Sequence, residues 1–135
     1  MVKTFSYNKK EKLKSRKQLD QLFAKGKTFS VFPIKVFYLS ATGAADHAVK
    51  AGVGVSARNF RKAVQRNRIK RLLRECYRVE KQALYDYAEL NKQQLTVFFL
   101  YIDKVMPDIT VLKQKIPLAL ARLIKELNEN HSPDT

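Results

Sequence analysis

Arg58-Asn59-Phe60-Arg61-Lys62-Ala63-Val64-Gln65-Arg66-Asn67-Arg68-Ile69-Lys70-Arg71-Leu72-Leu73-Arg74-Glu75-Cys76-Tyr77-Arg78 carries nine lysines and arginines against one acid, Glu75. Within it Ile69, Leu72, Leu73 and Cys76 recur at i, i+3, i+4 and i+7, the spacing that lines up one apolar stripe on an α-helix. At about 100° per residue, Asn67, Lys70, Arg71, Arg74 and Arg78 gather on the opposite side, with Arg66 and Arg68 flanking them. The segment reads as a helix from about residue 60 to about residue 84. Its aliphatic side docks on a core, and its cationic side suits a row of phosphates.

The flanks decide what the helix packs on. Ala51-Gly52-Val53-Gly54-Val55-Ser56 before it reads as a short strand whose glycines leave one face bare, so that another element or a ligand can come close. Leu95-Thr96-Val97-Phe98-Phe99-Leu100-Tyr101-Ile102 after it is a nearly continuous apolar run, the pattern of a central strand covered on both faces. Phe98, Phe99 and Tyr101 are read as core, with at most one of them turned outward. Further upstream, residues 31–39 are rich in β-branched and aromatic types. Alternation there sets Ile34, Val36 and Tyr38 on one face and Lys35, Phe37 and Leu39 on the other, with Pro33 confined to a strand start or an edge.

Ser15 can cap a short helix through Phe23, in which Leu19, Leu22 and Phe23 share a stripe and Gly26 gives the stop. Residues 41–50 suit a loop. After Pro107, Leu112, Ile116, Leu120, Leu123, Ile124 and Leu127 define a second amphipathic helix. Residues 1–14 form a basic arm and 128–135 a frayed tail. The order is strand, strand, long helix, strand, helix, an α/β arrangement with helices packed on a small sheet in one domain of 135 residues. From pattern alone the crossover through the basic helix is expected to be right-handed.

Composition restricts the partner. The formal charge is +15, from 27 lysines and arginines against 12 acids, which favours a polyanion, with nucleic acid ahead of an anionic membrane. A single cysteine, Cys76, allows no disulfide within the chain and suits a reducing, cytoplasmic setting. No apolar run reaches the length of a membrane span.

The order Val53-Gly54-Val55-Ser56, Ala63-Val64, then Arg66-Asn67-Arg68-Ile69-Lys70-Arg71 resembles the protein subunit of bacterial ribonuclease P. Lys12-Leu13-Lys14, Leu22-Phe23 to Gly26, Phe37-Tyr38-Leu39 and the strand at 95–102 extend the resemblance over most of the chain. It implies an α+β sandwich with a small mixed sheet and a left-handed β-α-β crossover through the basic helix, and that handedness replaces the generic expectation. It also implies a division of labour. The catalytic RNA subunit hydrolyses precursor tRNA with bound Mg²⁺, while the protein supports that RNA and grips the single-stranded 5′ leader.

Carried over residue by residue, the resemblance implies contacts to the RNA subunit from Arg58, Arg61, Lys62, Arg66, Asn67, Arg68, Lys70, Arg71 and Arg74. It places Lys14, Leu19, Phe23 and Phe37 in the leader-binding cleft. Two positions depart from the family pattern. Leu19 is aliphatic where many relatives carry an aromatic, and Ala57-Arg58 stands where paired lysines are common.

Plain alternatives exist for each feature. A basic helix face is usually just solvated, and Phe23 and Phe37 have spacings that also fit a core. Cys76 lies on the inward stripe and reads as a structural thiol. His47 and His131 have no ligand pattern around them, and the acids form no cluster suited to paired metal ions. The chain is therefore not expected to cut RNA by itself. A general RNA-binding or ribosomal-type structural protein is the competing function, and only the motif order favours the ribozyme subunit.

Overall fold

The computed structural model describes residues 16–42, 49–91 and 93–130. Lys14, the basic arm, His47 and residues 131–135 lie outside them. The elements run α1 (Arg16–Lys25), β1 (Lys27–Val31), β2 (Ile34–Thr42), β3 (Val49–Val55), α2 (Ala63–Glu80), α3 (Gln82–Leu90), β4 (Gln93–Tyr101) and α4 (Ile109–Asn130). They form a four-stranded sheet in the order β1-β2-β4-β3. β2 is antiparallel to both β1 and β4, and β3 is parallel to β4, so α2 and α3 together make a β-α-β crossover.

The two faces of the sheet are built differently, and alternation in β2 and β4 is the cause. Ile34, Val36 and Tyr38 of β2 and Leu95, Val97, Phe99 and Tyr101 of β4 are all buried on one face. Against it lie Ile69, Leu73, Cys76 and Tyr77 of α2, Leu84 and Ala88 of α3, and Leu112, Ile116, Ala119, Leu120, Leu123 and Leu127 of α4. Tyr77 packs tilted on Phe99 with ring centres 5.4 Å apart. Each large side chain buried this way contributes about 1.5–3 kcal/mol. Among the described residues the opposite face carries only α1, which touches β2 and β4 and fully buries its Leu22. β4 is central, as its apolar run predicts, yet its second face is only half-buried because α1 is ten residues long and covers part of it.

Several expected boundaries move. The strand read over 31–39 is a hairpin: β1 ends at Val31, the chain turns at the cis Phe32-Pro33 bond, and β2 begins at Ile34. β1 escaped notice because Lys27-Thr28-Phe29-Ser30 has a single large apolar side chain, Phe29, which is the one it buries. The long basic helix starts at Ala63 and not at Phe60, whose ring is buried against Tyr101 in the preceding loop. It also ends earlier, at Glu80, where the buried Lys81 joins it to α3 and sets its ammonium 5.0 Å from the Tyr85 ring centre. Finally, α4 continues through residues 128–130, which were expected in the frayed tail.

Gly26 ends α1 as its position predicts, with its N–H donating to the Leu22 carbonyl at 2.7 Å. A Cβ there would lie 2.5 Å from that carbonyl oxygen and 2.8 Å from the Tyr38 carbonyl oxygen, backbone atoms that cannot step aside. Gly26→Ala should therefore lift α1 from β2 and lower stability by about 1–3 kcal/mol, read from urea unfolding.

Tyr101 donates its phenol proton to the Val105 carbonyl at 2.6 Å, and burial, aided by the Asp103 carboxylate, pushes its pKa up to about 12. The unfolded phenol ionises near its ordinary value of 10.0. Its contribution to stability is thus complete below that value and lost as pH rises from there to about 12. The urea midpoint should fall between about pH 10 and pH 12, and by less in Tyr101→Phe.

Candidate nucleic-acid interface

From Arg58 to Arg74 the chain has no acid, and the fold turns that stretch into one surface. Burial of Ile69, Leu73, Cys76 and Tyr77 fixes the rotation of α2, which leaves Asn67, Arg68, Arg71 and Arg74 exposed and Lys70 half-buried. Val64, Asn67, Arg68, Arg71, Leu72 and Arg74 line an open groove of about 670 Å³ along the outer side of the helix. Leu72, expected on the inward stripe, lies at its edge and serves as part of the groove floor. One turn further on, Arg78 donates through Nε and Nη2 to the Glu75 carboxylate. That hydrogen bond holds the Glu75 pKa below its ordinary value and raises that of Arg78. The cationic rank therefore ends at Arg74, and Arg78 is already occupied.

The loop before α2 continues the rank. Arg58, Arg61 and Lys62 are exposed, whereas the residues between them are anchored. Asn59 Nδ2 donates to the carbonyl oxygens of Ile102 and Asp103 at 3.3 and 3.4 Å, and Phe60 is buried. Arg66 reaches back from the first turn of α2, its Nη1 donating to the Phe60 and Arg61 carbonyls at 2.9 and 2.7 Å. Lys62 is the N-cap without a side-chain cap, and the first turn holds no acid, so the positive end of the helix dipole adds to the cations around it.

The second candidate surface is the sheet face under α1. Strand pairing puts Phe37 of β2 directly opposite Phe98 of β4, and Phe23 of α1 leans over both. Phe23 lies 5.1 Å from Phe37 and 5.4 Å from Phe98 between ring centres, in both cases edge to face. Phe23 is 50% exposed, a large value for an aromatic in the middle of a cluster. The Lys35 ammonium sits 5.3 Å from the centre of Phe37, and Leu19 is half-buried on α1. Strand β3 explains how Phe98 fits. A Cβ at Gly54 would collide with the tip of the Phe98 ring, so the bare glycine face is where that ring rests.

Of the residues expected in the cleft, Phe23 and Phe37 come together and Leu19 lies on the same helix, while Lys14 is outside the described residues. Phe98 is the one of Phe98, Phe99 and Tyr101 that turns outward, which the core reading allowed for one of them. Its place on the half-buried face of β4 makes it the third member of the aromatic group, and parity with Phe99 and Tyr101, which point to the core, is the signal that separates it from them.

The family model described as Ribonuclease P matches residues 7–105, a span that holds both surfaces. The chain belongs to the ribonuclease P protein family. A ribonuclease P protein component from Porphyromonas gingivalis is 33% identical over 123 residues, covering 89% of this chain and 88% of its own. One from Chlorobium phaeobacteroides is 36% identical, covering 82% and 83%. The fold also matches the solved ribonuclease P proteins of Staphylococcus aureus (TM-score 0.62, 18% identity, covering 85% of this chain and 95% of that one) and Thermotoga maritima (TM-score 0.62, 21% identity, 83% and 96%). As a ribonuclease P protein component, the chain is one part of an endoribonuclease that also contains RNA and processes tRNA. The ribonuclease P match stops short of α4, which begins at Ile109.

Gly54→Ala should drive the Phe98 ring out of its seat and disturb its edge contacts with Phe23 and Phe37. A loss of about 1–3 kcal/mol in urea unfolding is expected, with altered near-ultraviolet circular dichroism from the displaced rings.

Proposed function

We propose that this ribonuclease P protein binds the catalytic RNA subunit through the 57–62 loop and the outer side of α2, and holds the 5′ leader of precursor tRNA on the aromatic face under α1. The observation that carries the reading is the partial exposure of Phe23 over Phe37 and Phe98 on the same small domain as an acid-free cationic rank. Single-stranded RNA is held by that combination. Phosphates follow cations, and bases stack on aromatic rings at about 1–3 kcal/mol each.

Hydrolysis belongs to the RNA subunit in this proposal, and Mg²⁺ enters through that RNA. Among the described residues no three histidine, cysteine, aspartate or glutamate side chains stand close enough to hold a metal ion. The protein acts by charge. Arg58, Arg61, Lys62, Arg68, Lys70, Arg71 and Arg74 neutralise phosphates that would otherwise keep catalytic RNA and precursor tRNA apart, and Mg²⁺ is then needed less for screening. Asn67, exposed among them, offers both a donor and an acceptor beside a phosphate. No described helix is long and apolar enough to cross a membrane.

The experiment is cleavage of a precursor tRNA by the protein, by the cognate RNA subunit and by both, at low Mg²⁺. Only the mixture should cut efficiently at the mature 5′ end. A protein that adds nothing to the RNA would return the chain to general RNA binding. Phe23→Ala and Phe37→Ala should each weaken binding of the full-length substrate by about five-fold or more and leave a leaderless substrate unchanged. Equal effects on the two substrates would remove the leader site and keep the RNA-subunit site.

A further inference from the structure

Arg66 differs from the other cations of its segment in what it touches. Both hydrogens of Nη1 are directed at main-chain oxygens of the loop, those of Phe60 at 2.9 Å and Arg61 at 2.7 Å. Only the Nε and Nη2 edge remains for an anion. One of its two acceptors belongs to a residue whose own side chain is an exposed cation, and Lys62 follows directly. The loop is held from another direction by Asn59 on the Ile102 and Asp103 carbonyls and by the Phe60 ring, 6.1 Å from that of Tyr101. Arg58, Arg61 and Lys62 thus project from a main chain fixed at Asn59, Phe60 and Arg61. Three like charges so close in sequence repel one another, and they would spread if the main chain were free. The helix has no side-chain cap at Lys62. Beside the main-chain bonds from the Gln65 and Arg66 N–H groups to the Lys62 carbonyl, the Arg66 guanidinium ties the first turn of α2 back to Phe60 and Arg61.

We propose that Arg66 is a positioning residue for RNA binding, holding the 57–62 loop in the shape in which Arg58, Arg61 and Lys62 meet phosphates together. The proposal rests on the RNA-binding reading above. It separates Arg66 from Arg68, two residues along the same motif, whose exposed guanidinium acts by direct contact.

The slope of log affinity against log salt counts the phosphate contacts, at about 0.7–0.9 per contact. It is measured for full-length protein binding its cognate ribonuclease P RNA. Arg68→Ala should lower the slope by about one contact and Arg66→Ala by at least two, because the loop cations are lost with it. In a protein already carrying Arg58→Gln, Arg61→Gln and Lys62→Gln, Arg66→Ala should lower the slope by no more than one contact. The proposal is overturned if Arg66→Ala removes one contact or none in the wild-type background, or the same number in both. Should Arg66→Ala unfold, Arg66→Lys keeps the charge without the planar fork and serves the same comparison. A readout without RNA is trypsin cleavage after Arg61 and Lys62. Cleavage should quicken in Arg66→Ala while other sites keep their rates, and unchanged cleavage in the loop also overturns the proposal. A wild-type protein whose RNA binding ignores salt would overturn the proposal together with the reading beneath it.

Discussion

Ile69, Leu73, Cys76 and Tyr77 lie along one line of α2, and their burial against the sheet and α4 determines everything outside them. A helix with so many like charges gains little from its own surface beyond the Glu75–Arg78 pair. It repels itself, and its first turn has no acid to satisfy the dipole. What keeps it helical is the apolar stripe, and once that stripe is seated the direction of every arginine is settled. Cys76 shows how closely the two are joined. Burial pushes its thiol pKa up, and the residue before it, Glu75, is the acid that takes up Arg78.

The second constraint is the parity of β2 and β4. Because side chains alternate, the same two strands supply the core on one side and the aromatic face on the other. Phe98 and Phe99 are adjacent in sequence and opposite in fate: one packs on Tyr77 in the interior, the other on Phe23 and Phe37 under α1. Gly54 extends the arrangement to β3, where absence of a side chain is what the neighbouring ring requires.

Much of this was legible in the chain. The period of the apolar residues gave α2 and α4, alternation gave the faces of β2, and the two glycines of β3 pointed to a close approach. What escaped has physical causes. β1 is short and polar and is a strand because β2 offers it an edge, which is information held by the partner and not by Lys27–Val31. The break at Lys81 sits among residue types that continue a helix, and tertiary packing decides it. In the site, charge and helical spacing pointed to a cationic face, and the resemblance named Arg58, Arg61, Lys62, Arg66, Asn67, Arg68, Lys70, Arg71 and Arg74 as RNA contacts. Neither set Arg66 apart, because a hydrogen bond to a carbonyl several residues away leaves no trace in composition. Nor could a continuous apolar run tell Phe98 from its neighbours without knowing that the second face of β4 is thinly covered.

The sheet ends at β1 and β3, and an edge strand is an invitation to another chain's edge. On the β1 side Arg122 of α4 closes part of that invitation, donating from Nη1 to the Ser30 carbonyl at 3.2 Å while its guanidinium lies 4.9 Å from the centre of Phe29. On the β3 side the strand is seven residues long and carries Lys50. A net charge of +15 sets any two copies against each other before their edges can meet. The surplus of cations that draws the protein to RNA also guards it against stacking strand to strand with itself, so a variant made less basic would face aggregation at the edges of its sheet.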